Sequence, residues 1–102
     1  MKLMILKNNK GLGVEKNKES FQDILKKYQE ESRELEEALQ NEDDVQIAEE
    51  TLDVIQMCIG ILDKLNSNGM NINQLVKRHN KKLVMRNWED KGVIQIQWKI
   101  RV

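Results

Sequence analysis

The sequence predicts an all-α fold, a helical hairpin followed by a third helix. Three observations predict it. Apolar residues recur at three- and four-residue spacing through three long stretches, the period of a helix face. Breaks rich in Asn, Asp, Ser and Gly separate those stretches. Proline, which interrupts helices, is absent from all 102 residues.

Taken in order, Met1 to Leu6 is apolar apart from Lys2 and short enough for a strand. Lys7 to Gly13 reads as a turn or loop. The first helix is expected from Ser20 to about Gln40, with Asp23 three residues after Ser20 as a variant capping box and a start near Glu15 as the alternative. Asn41-Glu42-Asp43-Asp44 supplies a break and an N-cap for a second helix running to about Asn66. That helix is apolar over more than half its circumference, through Val45, Ile47, Ala48, Leu52, Val54, Ile55, Met57, Cys58, Ile59, Ile61, Leu62 and Leu65. One neighbouring helix cannot cover such a surface, so the hairpin and third helix are expected to assemble into an oligomeric, four-helix-bundle-like core, as a homodimer or homotetramer. Gly69 is placed to end the helix in a left-handed conformation.

A third helix is expected from about Asn71 to Arg86. Ile72, Leu75, Val76, His79 and Leu83 form one face, and Lys77, Arg78, Lys81, Lys82 and Arg86 another. His79, on the apolar face, is read as a core or interface residue. Glu89 to Gly92 reads as a turn. Beyond it Ile94, Ile96, Trp98, Ile100 and Val102 alternate with polar residues, the period of a half-buried strand. Short β segments are therefore expected at both termini. The C-terminal one needs a partner, either Met1–Leu6 or the same tail of another subunit.

Length and composition fit a single domain, residues 1–102, with a core from about 20 to 88 and a strand-like tail over 93–102. Formal net charge is zero, so no global field favours nucleic acid or an acidic membrane. No apolar run reaches spanning length, and the first residues lack a signal-peptide pattern. One cysteine, Cys58, gives no disulfide framework and is read as a small core residue. A cytoplasmic location is expected.

Two acidic pairs dominate the functional reading, Glu31 with Glu34 and Glu50 with Asp53. Each is spaced i, i+3, so each pair shares one side of its helix. At about 100° per residue, Glu31 falls among Phe21, Ile24, Tyr28, Leu35, Ala38 and Leu39, with Glu34 at the edge of that arc. Glu50 falls between Met57 and Ile61, with Asp53 beside them. The arcs are expected to hold no Arg or Lys. A carboxylate in an apolar stripe needs a partner. Packed as an antiparallel hairpin, the pairs would bring four carboxylates together, and a hard divalent cation suits an all-oxygen site. Lys82 and Arg86, one turn apart, could reach one phosphate chain.

The stretch E-E-S-R-E over residues 30–34 and E-T-L-D over 50–53, with E-L-E-E-A-L and D-V-I-Q flanks, resembles the MazG-like family of nucleotide pyrophosphohydrolases. That superfamily also holds dimeric dUTPases and phosphoribosyl-ATP pyrophosphohydrolases. R-H-N-K-K-L-V-M-R-N-W over 78–88 resembles the family's basic helix, and the likeness covers about Phe21 to Trp88. The terminal apolar segments lie outside the family's common core. The resemblance implies that Glu31, Glu34, Glu50 and Asp53 bind Mg²⁺, with Mn²⁺ a substitute, and that Lys82 and Arg86 hold substrate phosphates. It implies cleavage of a nucleoside triphosphate to the monophosphate and pyrophosphate, in a role clearing noncanonical nucleotides. Glu34 is the expected catalytic base, and Glu30, pointing away from the core, supports the site indirectly at most. The rival readings are a non-catalytic helical scaffold, a nucleic-acid binder with too small a basic footprint, and a di-iron bundle without the Glu-x-x-His pairs such sites use.

Overall fold

The computed structural model describes residues 1–100 and divides into two compact units, Met1–Met70 and Asn71–Val102. The first unit opens with a two-residue antiparallel ladder, β1 (Asn8–Asn9) and β2 (Val14–Glu15), in the register Asn8↔Glu15 and Asn9↔Val14. Its turn is closed by the Asn9 side chain, which accepts from the Leu12 N–H at 3.1 Å. Gly13 stands at φ +66°, a left-handed conformation that a side chain rarely tolerates. A single 3₁₀ turn, Lys16–Lys18, leads on to the helices.

Helix α1 spans Phe21–Asn41 and α2 spans Asp44–Ser67. Ser20 caps α1 through a full capping box. Its hydroxyl accepts from the Asp23 N–H at 3.1 Å, and its own N–H donates to Asp23 Oδ2 at 2.9 Å. Hydrogen bonding to its carboxylate, first from the Ser20 backbone N–H and then from the Ser20 side chain, holds the Asp23 carboxyl below the usual range. Glu42, in the left-handed region at φ 53°, turns the chain, and Asp43 caps α2 by accepting from the Gln46 N–H at 3.1 Å. So short a connection makes the helices antiparallel neighbours, and they pack along each other.

Ala38, fully buried, marks the close approach of that hairpin. The N-terminal segment is tied to α2 at two points. Gln56 Nε2 donates to the Met4 carbonyl at 2.7 Å, and Lys64 Nζ donates to the Glu19 carbonyl at 2.7 Å while lying 5.1 Å from the Phe21 ring centroid. Helix α2 ends as expected, with Gly69 at φ +93° and the Met70 N–H donating to the Leu65 carbonyl.

In the second unit, α3 spans Ile72–Met85, capped by Asn71 and closed by Asn87 in the left-handed region. Ile72 is buried, and Leu75 and Leu83 are half-buried.

Several expectations need correction. Neither Met1–Leu6 nor the described part of the tail, Val93–Ile100, forms a strand. The short β structure sits instead within and just after the segment Lys7 to Gly13, read as a loop. Ile94 is 80% exposed and Ile96 is 73% exposed. Alternation alone does not make a strand, because each edge needs a ladder partner and the described residues give this tail none. Arg101 and Val102, the end of the expected strand, lie outside the described residues. Cys58, read as a core residue, is exposed. Helix α2 contains no buried residue, with Val45 68% and Leu52 52% exposed. Its apolar surface is therefore only partly covered by one chain, as the breadth of that surface led one to expect.

Candidate metal centre

The hairpin decides where the acidic pairs go. Packing α1 along α2 turns the Glu31 side toward the Glu50 side. One carboxylate oxygen from each of Glu31, Glu50 and Asp53 then lies within 4.8 Å of the other two. Glu31 keeps only 12% of its side-chain surface, and Glu50 is half-buried, whereas Asp53 is exposed. Oε2 of Glu31 and Oε2 of Glu50 are buried and have no hydrogen-bond partner among the described residues. Buried polar atoms are almost always paired, so two orphaned carboxylate oxygens in one cluster make a place that a cation could fill.

Glu34 lies against Glu50 at the margin of the cluster. It is exposed and does not belong to the three-carboxylate cluster, although it reaches Glu50. A hydrogen bond between two carboxyl groups exists only when one is protonated. Between two ionised groups the contact is repulsive, which agrees with the orphaned Glu50 oxygen. Withdrawal from water, then the charges of Glu34, Asp53 and Glu31, pushes the Glu50 carboxyl above its usual range.

Lys27 contradicts the expectation that the arc holds no cation. Its Nζ lies 3.2 Å from Glu31 Oε1 and 3.6 Å from Glu30 Oε2. Lys27 precedes Glu31 by one turn, and at about 100° per residue the two differ by only about 40° around the helix. The Glu31 carboxylate holds the Lys27 ammonium above the usual lysine range. Glu30, by contrast, faces outward as expected and is 57% exposed.

The donors fit a hard divalent ion. They are oxygens only, and two lack any other partner. Oxygens on opposite sides of one Mg²⁺ stand about 4 Å apart, so a 4.8 Å spread accepts a single ion with side-chain adjustment alone. Three carboxylate oxygens would leave further coordination positions to water or phosphate.

Within the second unit, Lys82 and Arg86 line one open groove with Leu75, Arg78, His79, Lys81 and Met85. His79 is exposed beside these cations rather than buried in a core. At about 100° per residue it lies within the apolar arc, between Leu75 and Leu83, and in one chain that part of the arc is left uncovered.

Residues 5–81 match the family model of phosphoribosyl-ATP pyrophosphohydrolase, well over half of the chain. The chain belongs to the phosphoribosyl-ATP pyrophosphohydrolase family. It is thus a member of the MazG-like nucleotide pyrophosphatase superfamily and a pyrophosphohydrolase, a hydrolase acting on acid anhydrides. No curated protein and no solved structure matches it significantly. The phosphoribosyl-ATP pyrophosphohydrolase match takes in both acidic pairs and begins at residue 5. Of the N-terminal apolar run Met1–Leu6, expected to lie outside the family core, the match takes in Ile5 and Leu6 alone. The match ends at residue 81, so Lys82 and Arg86 lie beyond it. Among the described residues no helix is long and apolar enough to cross a membrane.

Proposed function

We propose that this protein is a Mg²⁺-dependent nucleotide pyrophosphohydrolase that converts a nucleoside triphosphate and water to the monophosphate and pyrophosphate. The observation that carries the reading is the pair of buried, unpartnered oxygens of Glu31 and Glu50 beside Asp53. A divalent ion held there would neutralise phosphate charge and lower the pKa of a bound water. Glu31, Glu50 and Asp53 are the principal ligands in this reading, with Glu34 able to complete the set.

The oxygen of water forms a new bond to phosphorus as the bridging P–O bond between the α- and β-phosphates breaks. Its proton goes to a carboxylate, and pyrophosphate departs. Glu34 is suited to accept that proton. It lies next to Glu50, is exposed, and stands outside the three-carboxylate cluster, so its oxygens are less committed than the others. Lys82 and Arg86 are assigned to phosphate binding on their charge and spacing within α3. Glu30 at most supports the site, through its shared contact with Lys27.

The family name points to phosphoribosyl-ATP, and ordinary or noncanonical nucleoside triphosphates present the same α–β anhydride. Clearance of noncanonical nucleotides is the role proposed for the second group. Self-association as a homodimer or homotetramer accounts for the exposed apolar surface of α2. The test is pyrophosphate release from phosphoribosyl-ATP and a panel of ribo- and deoxyribonucleoside triphosphates, with Mg²⁺ and with EDTA. Metal-dependent release supports the reading. No release from any substrate by a folded preparation favours the non-catalytic scaffold.

A further inference from the structure

The cluster contains a cation of its own. We propose that Lys27 is a positioning and charge-balancing residue of the metal centre, limiting how strongly the carboxylates hold a divalent ion. This inference rests on the metal-site reading above and assigns a role to a residue outside the acidic pairs.

Three observations carry it. First, Lys27 Nζ engages Glu31 through Oε1 at 3.2 Å, while the other oxygen, Oε2, is buried and unpartnered. The ammonium thus divides the work of one carboxylate, occupying one oxygen and leaving the other for the cluster. Glu31 is thereby directed to bind an ion through a single oxygen. Second, Lys27 has an exposed alternative in Glu30, yet stands closer to the nearly buried Glu31. Third, an i, i+4 pair with Lys on the N-terminal side is the weaker helical orientation. Helix preference alone therefore does not account for the contact, and the surplus negative charge around Glu31 and Glu50 does.

The physical consequence has a definite sign. A unit positive charge close to a ligand repels a dication with twice the force it exerts on a monovalent ion, and it competes for Glu31. Neutralising Lys27 should therefore tighten metal binding. A purely structural lysine would do the reverse, since losing it would loosen Glu31 and weaken binding. The sign separates the two roles.

The experiment is calorimetric titration of the full-length protein with Mn²⁺ in the absence of nucleotide, for the wild type, Lys27→Met, Lys27→Gln and Lys27→Arg. Met, Gln and Arg are all good helix formers, and circular dichroism checks that each variant is folded. We expect Mn²⁺ to bind Lys27→Met and Lys27→Gln about tenfold more tightly than the wild type, and Lys27→Arg to bind as the wild type does. Unchanged or weaker binding to both neutral variants would overturn the role of Lys27 while leaving the metal site intact. A wild-type protein that binds no Mn²⁺ would overturn the metal site and this inference together.

Discussion

Glu50→Gln should stabilise the metal-free protein and at the same time abolish its response to metal. The substitution keeps shape and removes one charge from a cluster in which Glu31, Asp53 and Glu34 already repel it. The amide also brings a donor to a place where two carboxylate oxygens have none. In EDTA the variant should therefore melt at a higher temperature than the wild type. Metal reverses the order. A ligand at one hundred times its dissociation constant contributes about 2.7 kcal/mol to a folded state that alone binds it. For a chain of 102 residues, that corresponds to roughly 10–20 °C in Tm. The assay is thermal unfolding followed by circular dichroism, with EDTA and with saturating Mg²⁺ or Mn²⁺. The wild type should rise by that amount, and Glu50→Gln should move by less than about 2 °C, a small fraction of the linkage effect. A variant that melts lower than the wild type in EDTA, or that keeps the full metal shift, would refute the reasoning. Glu50 would then be an ordinary structural carboxylate.

Ala38→Leu should destabilise the hairpin by about 1–3 kcal/mol, because Ala38 is fully buried; urea titration reads the loss, and an unchanged midpoint would place the helices further apart than described. Ser20→Ala removes the hydroxyl half of the α1 capping box and should cost about 1 kcal/mol, measured the same way. The pH dependence has a worked sign. The folded-state pKa of Glu50 is raised, so its contribution favours folding below the ordinary glutamate value and is lost as pH rises through the raised value. Asp23, held low, acts in the opposite sense, with stability present above its ordinary value and lost as pH falls through the lowered one. Comparing wild type with Glu50→Gln in EDTA isolates the first effect, and the advantage of the variant should shrink as pH falls from neutrality toward the ordinary glutamate range.

The helices were legible because their signals are local. Ser20, Asp43 and Asn71 each sit one residue before the observed helix and accept from a backbone N–H three residues on. The convergence of Glu31, Glu50 and Asp53 was legible for a related reason, since a fixed helical period and a short connection leave two helices few ways to meet. Lys27 was missed although the same angular construction places it beside Glu31. A search for core positions discounts lysine, whose long stem lets its ammonium reach a neighbour one turn away. The C-terminal alternation is a local property and the stability of a strand is not, so within one chain the described part of that tail stays unpaired. Cys58 misled because an apolar sequence reports a need for burial, and one chain meets that need on α2 only in part, as the breadth of its apolar surface led one to expect.

The measurement that bears most directly on the central claim is metal-dependent pyrophosphate release by the wild type and by Glu50→Gln, side by side, on phosphoribosyl-ATP and the nucleoside triphosphate panel. The account predicts release with Mg²⁺, none with EDTA, and none from the folded variant under either condition. Release that persists in EDTA, or that survives the loss of Glu50, would contradict a mechanism built on the carboxylate cluster of Glu31, Glu50 and Asp53.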